Sequence, residues 1–91
     1  MKSAYELAME RLQQAAPTKV LTEAQKTELA DLDSLFKSRI AEREIALGDE
    51  MVLAEAAGDY AKAEQARERL TIERARLTAE RDERKERVRA A

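Results

Sequence analysis

Cysteine and histidine are both absent from this 91-residue chain. Without Cys no disulfide or thiolate chemistry is available, and without His no imidazole can serve as base, nucleophile or metal ligand. Tryptophan is missing too, leaving Tyr5, Phe36 and Tyr60 as the only aromatic side chains. Breakers are scarce: Pro17, Gly48 and Gly58 are all there are. No apolar run has the length of a signal-peptide core or a membrane span, so the expectation is a cytoplasmic chain with no membrane partner. Ser3, Ser34 and Ser38 have no candidate base beside them, and there is no Gly-rich phosphate loop. Di-metal sites in helical bundles expect Glu-x-x-His pairs, which a chain without His cannot supply. The expectation is therefore a protein that is not an enzyme and takes no cofactor or metal.

What is present is helix-forming. Alanine supplies 18 of the 40 apolar residues, so large apolar side chains are few. Ala favours helix strongly but buries little area, which predicts closely spaced helices over a thin core. Charged residues make up 40% of the chain, a composition shared by long helices and coiled coils. At this length one small domain is the most the chain can hold, and its isolated core is marginal.

Three helices follow from the local signals. Ser3 and Glu6 have the spacing of a capping box, opening a helix over 3–15 with Tyr5, Met9 and Leu12 on one face. Pro17 ends it, and a linker fills 16–21. Thr22 and Gln25 form a second box, starting a helix over 22–57. Its apolar seam runs Leu29, Leu32, Phe36, Ile40, Leu47, Met51 and Ala54, with Leu35, Ile45 and Val52 as a second stripe. Gly48 lies inside this helix, either to allow close approach or as a tolerated surface glycine. Gly58 suits the left-handed residue that closes a helix, and Asp59 the cap of a third helix over 60–88.

Around this turn at 58–59 and Tyr60 the apolar positions form a palindrome. Residues whose numbers sum to 117 match: Ala54 with Ala63, Met51 with Ala66, Leu47 with Leu70, Ile40 with Leu77. Folding back at Gly58 as two antiparallel helices puts each pair at one level of a shared seam. The predicted fold is all-α: a long antiparallel, coiled-coil-like helical hairpin with the short N-terminal helix folded against it. The match weakens away from the turn, where Phe36 meets Arg81 and Leu32 meets Lys85.

The stretch Met51 to Leu70 resembles the UVR motif, the short helical hairpin of the nucleotide-excision-repair proteins UvrB and UvrC. Met51, Ala54, Tyr60, Ala63, Arg67, Glu68 and Leu70 fall on matching positions. Ala61 and Glu64 depart from the motif's Glu and second Ala, and Gly58 shortens its turn. The resemblance covers about 20 of the 91 residues and implies a hairpin that pairs with another hairpin. It implies no nuclease or helicase activity. The whole chain is also similar to small bacterial helical proteins.

Charge is divided unevenly. Residues 1–57 carry 7 basic and 11 acidic groups, and residues 58–91 carry 10 basic and 8 acidic groups. The arms are thus mildly complementary, which favours antiparallel pairing. Arg43, Glu44, Glu73 and Arg74 share one level, either as a register key or as a solvated rim of long side chains passing a thin seam. The arginines from Arg67 to Arg89 invite a nucleic-acid reading. Six interspersed acids between Glu68 and Glu86, and no aromatic among them, weigh against it.

The functional expectation is a structural or protein–protein interaction module, a homo-oligomer or one that takes a helical protein partner. The candidate interaction residues are Leu35, Ile45 and Val52, with Leu32 and Phe36 at the underpacked open end. The alternative is a nucleic-acid-associated accessory protein using the Arg-rich C-terminal helix.

Overall fold

A computed structural model describes the backbone of residues 1–15 and 20–91. The described residues form three helices: α1 (Ala4–Ala15), α2 (Glu23–Ala56) and α3 (Tyr60–Ala90). No strand occurs among the described residues. Pro17 and most of the expected linker 16–21 lie outside them.

The caps follow the local chemistry. Ser3 Oγ accepts from the Glu6 N–H at 3.2 Å, opening α1. At α2 both halves of the box are made: Thr22 Oγ1 accepts from Gln25 N–H and Gln25 Oε1 accepts from Thr22 N–H. The turn at 57–59 is a Schellman closure. Gly58 adopts φ +75°, its N–H bonds Glu55 O at 3.0 Å, and Asp59 N–H bonds Ala54 O at 2.8 Å. Asp59 then caps α3 by accepting from Lys62 N–H. The last helix continues two residues past the expected end at Val88, to Ala90.

α2 and α3 pack antiparallel along their length, and the buried residues are Phe36, Leu47 and Ala54 on α2 with Ala63, Ala66, Leu70 and Leu77 on α3. Small residues close the seam beside the turn and larger ones fill it further out. Leu47 and Phe36 are fully enclosed. The molecule is a thin plank of 73 × 32 × 14 Å.

α1 departs from expectation. None of its Cα atoms lies within 8 Å of a Cα of either long helix, and Tyr5, Met9 and Leu12 are exposed. The expected packing of α1 on the hairpin is not made, and α1 is too short to cover the whole second stripe of Leu35, Ile45 and Val52. Leu35 and Val52 are 17 residues apart along α2, about 25 Å, whereas a 12-residue helix spans only about 18 Å.

Candidate interaction surface

Along the seam, two flanks of ion pairs join the arms, and their polarity is opposite. On one flank α2 gives the cations: Arg43 Nε donates to Glu73 at 2.7 Å, and Arg39 lies 4.0 Å from Glu80. On the other α2 gives the anions. Lys85 donates to Asp33 at 2.8 Å, Arg74 to Glu44 at 3.2 Å, and Arg67 lies 3.9 Å from Glu55. The four groups Arg43, Glu44, Glu73 and Arg74 therefore meet at one level, as two pairs on opposite sides of the seam. The hydrogen bond from Arg43, with its positive charge, holds the Glu73 carboxyl below the usual range, and Glu73 in turn raises Arg43. Asp33 is lowered chiefly by the hydrogen bond from Lys85.

Phe36 is 0% exposed and cannot act as an open interaction residue in this conformation. Two guanidinium groups cover its ring, Arg39 at 5.1 Å and Arg84 at 5.4 Å from the centroid. Its partner across the seam is Arg84 rather than the expected Arg81. Helical side chains lean toward their own N-terminus, so Phe36 leans to the open end while Arg84 leans back toward the turn.

The open end is further tied by Gln25, which composition and periodicity did not single out for this role. While its Oε1 completes the α2 cap, its Nε2 donates to Val88 O at 3.0 Å and Ala91 O at 3.1 Å. One amide thereby serves the first turn of α2 and the final carbonyls of α3, groups that a helix cannot satisfy internally.

The remaining candidate residues fall in two places. Leu35, one residue before Phe36, turns to the flank of α2 and joins Leu32 and Val88 in an open groove of about 530 Å³. Glu28 and Asp31 form its α2 wall, and Arg84 and Arg87 its α3 wall. Ile45 and Val52 lie on the back of α2, 66% and 65% exposed, because Ile45 is two residues from buried Leu47 and Val52 two from buried Ala54, about 200° of rotation in each case. The second stripe is thus not continuous: ten residues from Leu35 to Ile45 displace the face by about 80°. Ile72 stands in the same relation to Leu70 and is equally exposed on the back of α3, whereas Leu53, also exposed, lies on the flank of Leu35, eighteen residues or five turns away. The two-residue offset from each buried leucine is the signal that finds Ile45 and Ile72. At the turn, Tyr60 is exposed beside Asp59.

Gly48 serves no close approach. A Cβ built there meets nothing within 4 Å. Among the described residues no group of three or more acidic side chains is placed to hold a metal ion, and no helix is long and apolar enough to cross a membrane. No protein family, curated protein or solved structure matches this chain.

Proposed function

We propose that this chain is a non-enzymatic protein–protein interaction module, a coiled-coil-like hairpin that associates with further copies of itself. The observation that carries the reading is the mismatch between a thin internal seam and a large apolar remainder outside it. Among the described residues seven side chains are buried, whereas Leu35, Ile45, Val52, Leu53 and Ile72 on the hairpin and Tyr5, Leu7, Met9 and Leu12 on α1 stay exposed. Single exposed apolar residues are ordinary, but an undocked helix with an apolar face beside an apolar groove is a surface short of a partner. The UVR-like turn supports the same kind of activity, hairpin paired with hairpin. Light scattering at micromolar concentration tests it: a mass above that of one chain is expected, and a monomer that stays folded on dilution overturns it.

The Arg-rich α3 is the basis of the second reading, an accessory protein on nucleic acid. Its charge is largely taken up locally, with Arg84 on Glu80, Arg87 on Glu83 and Arg74 on Glu44. Phosphate binding needs a positive face that survives its neighbours. A gel shift at low salt decides it, and no shift removes the reading.

A further inference from the structure

Resting on the self-associating reading, we propose that the open-end groove is the seat of α1 from a second copy, exchanged reciprocally about a two-fold axis. Three observations fit together. α1 has an exposed apolar stripe of Tyr5, Met9 and Leu12 that neither long helix approaches, and at 12 residues it is too short to be stable unaided in water. The groove begins at the first turns of α2, spanning residues 28–35, the same seven-residue rise of about 10 Å as the stripe from Tyr5 to Leu12. With the C-terminal end of α1 at the open end, Leu12, Met9 and Tyr5 come level with Glu28, Leu32 and Leu35 in turn.

The charges select this polarity. Glu6 and Glu10 lie on one side of the apolar stripe, net acidic although Lys2 there donates to Glu10 at 2.7 Å, and Arg11 lies on the other. Seated with its C-terminus toward the open end, α1 turns Glu6 and Glu10 to the wall of Arg84 and Arg87. Arg11 then faces the wall of Glu28 and Asp31. Reversed, the same helix sets like charge against like. Arg84 and Arg87 already hold Glu80 and Glu83 along α3, but a guanidinium has five N–H donors and takes a second carboxylate without losing the first.

The partner copy is favoured over the chain's own groove by where α1 stands. The molecule is 73 Å long, whereas the 34 residues of α2 account for about 51 Å, so α1 carries the chain beyond the hairpin. Two copies set open end to open end let each extended α1 run along the other's groove in the polarity the charges require. Exchange of identical elements in this way closes the interface and leaves no free end.

The absence of cysteine makes the test clean. Full chains carrying Tyr5→Cys alone and Leu35→Cys alone, tagged to differ in mass, are mixed and mildly oxidised. A crossed disulfide in several-fold excess over either like-with-like product is expected. Equal or like-with-like products overturn the proposal. So does a double variant that links only within one chain, because α1 then closes on its own hairpin. Light scattering separates this from failure of the wider reading. Glu6→Arg with Glu10→Arg should abolish the dimer mass, and adding Arg84→Glu with Arg87→Glu should restore it. A dimer that survives the first pair of changes leaves self-association standing and removes α1 from it; an unmodified chain of monomer mass defeats both.

Discussion

Gly48 and Gly58 show how one residue type meets opposite demands. Gly58 holds φ +75° at the Schellman turn, where a Cβ is strained whatever room surrounds it. Gly48 is helical and faces open space, so it carries the entropic cost of glycine with no conformational return. Urea unfolding followed by helical circular dichroism should separate them. Gly48→Ala is expected to stabilise the hairpin by about 1 kcal/mol. Gly58→Ala is expected to destabilise it by about 1–2 kcal/mol. Phe36 is the residue on which most depends at the open end. Phe36→Ala should cost about 3–5 kcal/mol, enough to unfold so small a core, whereas Arg84→Gln should cost only about 0.5–1 kcal/mol. The reason is that the guanidinium covers a ring whose main contribution is its own burial.

At the scale of helices, the seam and the backs of the arms respond differently to the same chemistry. Leu47→Asp with Leu70→Asp should abolish the helical signal at every concentration, because both side chains are buried. Ile45→Asp with Val52→Asp should leave the hairpin folded, since both positions are mostly exposed. The cross-arm carboxylates set the acid limb. Asp33 and Glu73 have native values below the ordinary carboxylate range, so their pairing stabilises the fold fully above that range. The contribution is lost as pH falls from about 5 through their lowered native values. Asp33→Asn with Glu73→Gln should flatten that limb in a pH series of thermal melts and lower Tm at neutral pH. The long helices, their caps and the Leu47–Leu70 register were legible in the sequence because they depend on periodicity and on residues with strong local preferences. The cover over Phe36, the double duty of Gln25 and the split of the outer stripe were not. They depend on side-chain lean and on rotation between positions, which a matching of levels leaves out. The detachment of α1 was missed for a related reason: an apolar stripe predicts a face to be buried but not which molecule buries it.

For the molecule as a whole, the thin core has a thermodynamic consequence. A chain stabilised by association should have a melting temperature that rises with protein concentration, by mass action. A Tm independent of concentration over the micromolar range argues for a hairpin that stands alone. Shape bears on how any such experiment is read. The radius of gyration is 21.4 Å, whereas a compact domain of this length has about 12 Å. A plank of these proportions tumbles and diffuses with high friction, so a single chain will leave a sizing column early, at the position of a considerably heavier sphere. Elution volume will therefore overstate the number of chains, and sedimentation will understate it when a spherical shape is assumed. An end-to-end pair with each α1 laid along the other hairpin would be about 100 Å long, against 73 Å for the single chain, so its rotational anisotropy and its small-angle scattering at low angle would report the pairing directly.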